Sequence, residues 1–377
     1  MKVVIAIDSF KGSLTSLEAG KAVENAILKV DNGAKVTVCP IADGGEGTVD
    51  AMKAGLNGEI IETFVTGPLG EKVKAKYCVI KGKTAVIEMA EASGLTLVPE
   101  KLRSPLQTTT YGVGELIKNA ISRGCKSFII GIGGSATNDG GVGMLSALGF
   151  KFLDKDKNAI PFGAKGLKVL DSISVESVIP ELKNCTFKVA CDVNNPLCGK
   201  NGCSAIYGPQ KGATEKDVEL MDGWLLSYAE IAKTVFPSAN PEYPGAGAAG
   251  GLGFAFKTFL NAELQSGINI ILEEIELEKH IINADIVVTG EGRLDSQSVM
   301  GKAPIGVASL AKKHGKKVVA FAGCVSTDAE VCNAHGIDAF FPIVRGVTTL
   351  EEALDKTNAL NNLTATAYQV FRLIKTK

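Results

Sequence analysis

Histidine is nearly absent from this 377-residue chain, which holds three. His314 and His335 each stand just before a glycine at the end of a predicted helix, where a positive imidazole favours the helix dipole. His280 lies on a charged helical stretch. Acid–base catalysis led by histidine is therefore not expected, nor is a Ser-His-Asp arrangement. Neither sign of charge is in excess: 40 Lys and Arg face 41 Asp and Glu, for a formal net charge of −1. That balance gives no electrostatic case for nucleic acid or for an anionic membrane as a partner. No apolar run reaches membrane-spanning length, and the one at the amino terminus is too short for a signal peptide. Nine cysteines occur without a C-x-x-C pair, several of them inside apolar runs such as those of Cys39 and Cys78. They read as reduced, buried thiols of a soluble cytoplasmic protein. Cys191, Cys198 and Cys203 cluster, but their spacing does not match a zinc ribbon and no histidine is near them in sequence.

Two phosphate-loop signatures are missing as well. Lys83-Thr84 lacks the upstream glycine of G-x-x-x-x-G-K-[ST]. The segment from Gly245 to Gly250 matches G-x-G-x-x-G literally but follows Pro241-Glu242-Tyr243-Pro244, which cannot be a central strand. Nicotinamide binding is therefore not expected, and the segment reads as a flexible loop entering a helix over 252–260. There is no repeat of solenoid length and no low-complexity tract.

What the chain does have is glycine, 43 residues in clusters without a collagen-like period. The densest cluster, G-I-G-G-S-A-T-N-D-G-G-V-G over 131–143, follows a strand-like run and precedes a helical pattern. A strand, a glycine loop and a helix point backbone N–H groups at an anion. Ser135, Thr137, Asn138 and Asp139 add hydroxyls, an amide and a carboxylate, the parts that hold a phosphate with Mg²⁺ beside it. The plainer reading is a tight turn with Asp139 capping the helix.

The two ends of the chain share one grammar. Residues 2–7 are Val/Ile-rich, as in a strand buried on both faces. A helix capped by Thr15 or Ser16 follows, with Glu18 placed for a capping box to Thr15. Strands over 35–41 and 59–65 flank a second helix. Near the carboxyl end, strands over 285–289, 317–322 and 338–343 alternate with helices over 304–314 and 329–335, and a long last helix starts near Thr349. The middle differs: a hairpin over 72–91, the glycine loop, a strand over 186–191 running into Asp192, and a capped helix from Thr214. We expect an α/β protein of two domains, one discontinuous (1–66 and 281–377) and one inserted (67–280) that carries the glycine loop. Asp8 and Lys11, Asp43 and Glu46, and Glu291, Arg293 and Asp295 all follow carboxyl ends of predicted strands, the edge where open α/β sheets bind ligands. With histidine scarce, carboxylates, Lys, Arg and glycine loops remain, an inventory that suits phosphoryl transfer.

Seven segments carry a family resemblance: 8–12, 42–47, 131–141, 190–197, 208–212, 245–253 and 289–295. In that order they resemble the bacterial glycerate kinases of the type I family. The resemblance implies a flavodoxin-like (Rossmann-like) discontinuous domain with an inserted α/β domain. It also implies ATP-dependent phosphorylation of D-glycerate, giving 2-phosphoglycerate. Phosphoryl transfer to glycerate then suggests roles. Lys11 and Arg293 hold the substrate carboxylate, with Asp295, Asp43 and Glu46 in the same subsite. Gly133, Gly134, Ser135, Thr137 and Asn138, with Lys211, hold the phosphates. Asp139 and Asp192 are candidates for Mg²⁺. Asp8, Asp192 and Glu291 compete to orient or deprotonate the attacking hydroxyl, and domain closure would exclude water. The alternatives are 3-phosphoglycerate as product, another small hydroxy acid as substrate, or a sugar-acid-sensing regulator. The last usually carries a basic helix-turn-helix, and none is apparent. A monomer or a homodimer is expected.

Overall fold

The computed structural model describes residues 1–42 and 47–376. Its first strands are β1 (Lys2–Ile5), β2 (Lys35–Val38), β3 (Glu59–Thr66), β4 (Lys72–Ile80) and β5 (Thr84–Glu88). Next come β6 (Ser127–Gly131), β7 (Lys151–Leu153), β8 (Ser172–Ser174), β9 (Thr186–Ala190) and β10 (Glu263–Gln265). The last are β11 (Ile286–Leu294), β12 (Lys317–Val325) and β13 (Ala339–Pro342). The chain divides into two compact units: Met1–Asp43, Asp50–Asn57 and Ile268–Lys377 form one, and Gly44–Val49 with Gly58–Gly267 the other.

The terminal unit is built on a five-stranded sheet in the order β13-β12-β11-β1-β2, with every pairing parallel. Counted within the unit this is the flavodoxin order 2-1-3-4-5. Val3, Ile5, Ile286, Val288, Val319 and Phe321 supply its buried apolar side chains. The Ser16–Val30 helix packs Ala19, Val23, Ala26 and Ile27 on this core, a 3.6-residue stripe. Its capping box forms as read from the sequence: Glu18 N donates to Thr15 Oγ1 (3.3 Å) and Thr15 N to Glu18 Oε2 (3.0 Å).

Three expectations are corrected here. The strand over 59–65 does not join the terminal sheet. β3 pairs antiparallel with β4 from Glu59↔Val79 to Thr66↔Lys72, because the tight turn between them closes a hairpin at far less entropic cost than a distant parallel pairing. The segment after Thr289 is not a loop: the β11–β12 ladder continues through Arg293↔Cys324 and Leu294↔Val325. Glycine permits this, since a Cβ on Gly290 would stand 2.0 Å from Phe321 O and one on Gly323 2.4 Å from Gly292 O. The last helix is broken into Leu350–Leu354 and Lys356–Lys375, because Asp355 leaves helical geometry to cap the second piece, accepting from Asn358 N at 2.9 Å.

The second unit holds a six-stranded sheet, β10-β9-β6-β5-β4-β3, parallel from β10 to β5 and antiparallel beyond. Lys81 and Gly82 both take positive φ (50° and 69°), as a twisted two-strand turn requires. Aromatic packing fills the core, with Phe128 stacked on Phe187 at 4.8 Å and Tyr228 edge-on to Phe254 at 5.4 Å. The β7–β8 ladder and β10, three residues per strand, are too short to have shown a pattern. Among the described residues no helix is long and apolar enough to cross a membrane. Thr15→Ala should lower the unfolding free energy by about 1 kcal/mol in urea titration, since it orphans a first-turn amide. An unchanged midpoint would mean that the capping box adds nothing.

Candidate active site

In the terminal unit the strand order reverses between β1 and β11, and the carboxyl ends of those strands carry the polar residues. The pairing runs past β1: Ala6 N donates to Val288 O (2.8 Å) and Asp8 N to Gly290 O (2.9 Å). Asp8 and Glu291 therefore sit at one sheet edge, both buried. Asp8 Oδ1 accepts from Ser9 N at 2.6 Å. Ser298, fully buried, accepts from Asp295 N (3.2 Å) and donates to Glu291 Oε1 (2.5 Å), so it fixes the orientation of Glu291. Lys302 Nζ stands 3.9 Å from Glu291 Oε2 and 3.7 Å from Asp295 Oδ1. Arg293 Nε is 3.4 Å from Asp295 Oδ2, and 65% of its side chain is exposed. Gly292 lets the Phe10–Lys11 backbone come close, with Lys11 N 3.4 Å from where a Cβ would be. Asp8, Lys11, Glu291, Arg293 and Asp295 are thus brought to one edge. Asp43 and Glu46 lie outside the described residues. Sequence reading missed Ser298 and Lys302, which belong to no local motif.

The glycine loop of the second unit follows β6. Gly133 and Gly134 are exposed, and Gly134 is left-handed (φ 73°). The loop is tied on one side by Leu95 N to Gly134 O (2.8 Å) and Ala136 N to Ser93 O (2.9 Å). The amides of Gly133, Gly134 and Ser135 donate to no acceptor among the described residues. Successive unpaired amides around a left-handed residue form a concave anion receptor.

Beyond Ser135 the chain turns inward, and part of the expected cradle is not on the surface. Thr137, Asn138 and Asp139 are buried. Asp139 is not placed to hold Mg²⁺: Thr110 N, Thr110 Oγ1 and Gly143 N donate to Oδ2 (2.9, 2.9 and 3.2 Å) and Gly141 N to Oδ1 (3.1 Å). The N-cap of the Val142–Ala147 helix is Gly141 and not Asp139, whose oxygens instead take the Gly141 amide and the first-turn amide of Gly143. Burial pushes its carboxyl up from the usual range, and the four donors pull it back. Asn138 Nδ2 donates to Ser204 Oγ at 2.9 Å. Lys211 is also buried, donating to Ser135 Oγ (2.8 Å) and Thr137 O (2.6 Å), so it braces the loop from behind. The segment from Gly245 is not a flexible loop. Ala249, Gly250 and Gly251 are successively left-handed (φ 53°, 70° and 90°), and Gly250 O accepts from Gly140 N at 2.9 Å. A Cβ on Gly250 would lie 2.1 Å from Thr137 O, so only glycine lets these backbones meet.

Asp192 follows β9, which pairs with β6 up to Gly131↔Ala190, and it is exposed. Its Oδ1 accepts from Gly267 N at 3.1 Å. An exposed carboxylate one strand from free amides fits Mg²⁺, which takes one or two carboxylates together with water and substrate phosphates. Two of the histidines have partners near their helix ends: His314 Nε2 pairs with Glu278 Oε1 (2.7 Å), and His335 Nδ1 with Val331 O (2.9 Å).

Burial pulls the Lys211 ammonium down from 10.5 to about 8. Between those values the unfolded chain binds more protons than the folded one, so this group makes stability rise with pH. Relative to Lys211→Met, wild type should gain on the order of 3 kcal/mol between about pH 8 and 10.5 in urea titrations. Parallel pH profiles for the two proteins would refute the depressed lysine.

The chain matches the glycerate kinase family over residues 3–375. It is 51% identical to the glycerate 2-kinase of Escherichia coli K12 over 354 residues, 94% of this chain and 93% of that protein. With the glycerate kinase of Haemophilus influenzae it shares 50% identity over 378 residues, covering 100% of each. A crystal structure of a candidate glycerate kinase 2 from Salmonella typhimurium LT2 matches with a TM-score of 0.92 at 46% identity, covering 100% of this chain and 98% of that one. Both units lie inside these matches, and the chain belongs to the glycerate kinase family.

Proposed function

We propose that this protein is a glycerate kinase that transfers the γ-phosphoryl group of ATP to the 2-hydroxyl of D-glycerate. The observation that carries this reading is the β1–β11 edge, where two buried carboxylates, Asp8 and Glu291, stand with exposed Arg293 and half-buried Lys302 and, among the described residues, with no histidine. A small hydroxy acid needs that combination: cations for its carboxylate and a carboxylate to orient its hydroxyl. Arg293 and Lys11 hold the substrate carboxylate, Arg293 with the better fork. Asp8 or Glu291 accepts the hydroxyl proton as the new O–P bond forms. The Gly133–Ser135 amides carry the nucleotide phosphates, and Lys211 keeps Ser135 in place. Asp192 is the carboxylate for Mg²⁺, which when bound neutralises charge on the phosphates. The 2-hydroxyl is chosen because the relative from Escherichia coli is a glycerate 2-kinase.

The direct test is incubation with ATP, Mg²⁺ and D-glycerate, read by ³¹P NMR and by coupling to enolase. The 2-phosphoglycerate resonance and immediate enolase turnover are expected. A 3-phosphoglycerate resonance would overturn the regiochemistry, and turnover only with another hydroxy acid would overturn the substrate. For the residues, Asp8→Asn or Glu291→Gln should lower kcat by about 10²- to 10⁴-fold for whichever is the base. Near-wild-type turnover removes that residue from the role. Arg293→Lys should raise KM for glycerate well above any change in KM for ATP, and equal changes would cancel its assignment to the acid.

A further inference from the structure

The wall behind the glycine loop carries a cation that the fold does not use. Arg103 lies on the stretch between residues 95 and 108, and both ends of that stretch are tied to the loop. Leu95 N donates to Gly134 O, and Thr108 Oγ1 donates to Ala136 O at 2.8 Å. Between these ties the Arg103 backbone packs on Gly212, where a Cβ would stand 2.3 Å from Arg103 O and 3.1 Å from Arg103 Cβ. Gly212 follows Lys211, whose ammonium holds Ser135 Oγ. Arg103 is therefore built into the same wall as the Gly133–Ser135 amides.

Arg103 Nε is buried and has no hydrogen-bond partner. Among the described residues no acid pairs with the guanidinium either. A buried donor without an acceptor costs stability. Folding alone gives no reason to keep such a group on a stretch tied at both ends to a loop whose own amides lack acceptors. One bound polyanion would satisfy all of them.

We propose that Arg103 grips the phosphate chain of the nucleotide seated on the Gly133–Ser135 amides. This rests on the reading of those amides as the nucleotide-phosphate receptor. The planar fork suits two phosphate oxygens at once, which a lysine cannot match.

Titration calorimetry with Mg·ATP, with inorganic tripolyphosphate and with D-glycerate tests it on wild type, Arg103→Met, Arg103→Lys and Gly134→Ala. Arg103→Met should weaken ATP and tripolyphosphate by about 10-fold or more while leaving glycerate within about twofold, as loss of a charged hydrogen-bonding partner does. Arg103→Lys should recover only part of the loss. Equal weakening of ATP and tripolyphosphate marks the phosphates as the contact; weakening of ATP alone would place Arg103 on the nucleoside and overturn the proposal. If Arg103→Met binds ATP like wild type while Gly134→Ala does not, the proposal fails and the amide receptor stands. If Gly134→Ala also binds like wild type, the receptor reading itself is wrong. Melting without ligand shows whether each variant is folded; should Arg103→Met not fold, Arg103→Lys decides, and unweakened polyanion binding by it refutes the fork.

Discussion

A carboxylate shut away from water governs the shape of the second unit. Asp139 is buried, and an ion there is tolerated only when its oxygens are fully engaged. Three backbone amides and one hydroxyl engage it, from Thr110 on one segment and from Gly141 and Gly143 on its own. Those bonds set where the Val142–Ala147 helix begins and where the chain must leave β6. With the inner part of the loop held so firmly, the outer amides of Gly133, Gly134 and Ser135 are left without protein acceptors.

Close backbone approach is the second constraint, and it explains glycine where side chains would have seemed useful. Gly250 meets Thr137 O and Gly290 meets Phe321 O at distances no Cβ could share. In the second unit this packs the kinked 249–251 segment under the glycine loop. In the terminal unit it lets β11 and β12 stay paired until Leu294, so that Glu291 and Arg293, two residues apart, leave the sheet on one face. A looser chain at Gly290 would carry the same residues on a loop with no fixed direction.

Features written in neighbouring residues were legible in the sequence. The capping box at Thr15, the capped start of the helix at Thr214 and the Lys81-Gly82 turn all follow from short-range rules. Features decided by distant partners were not. The strand over 59–65 has the apolar content of a parallel strand, and only pairing with β4 sets its sheet. Glycines after Thr289 look like a loop until β12 is beside them. The role of Asp139 turns on Thr110, 29 positions away. Lys302, Ser298 and Arg103 carry no motif at all; what marks them is a distance to a carboxylate, a shared hydroxyl and a missing acceptor.

The glycine loop and the β1–β11 edge handle charge in opposite ways, and phosphoryl transfer gives a reason. The loop has the charged side chains of Asp139 and Lys211 buried, while Gly133 and Gly134 face solvent. An amide has no proton to lose in the physiological range, so a receptor made of amides holds a polyphosphate with little dependence on pH. The terminal unit keeps carboxylates at the sheet edge beside exposed Arg293 and half-buried Lys302. An acid that accepts a proton from a hydroxyl has to titrate. On the proposed assignment of the base to Asp8 or Glu291, the pH dependence of turnover belongs to that edge and not to nucleotide binding. It also accounts for the scarcity of histidine: with charge neutralised by amides and cations, a single carboxylate suffices for the one proton that moves.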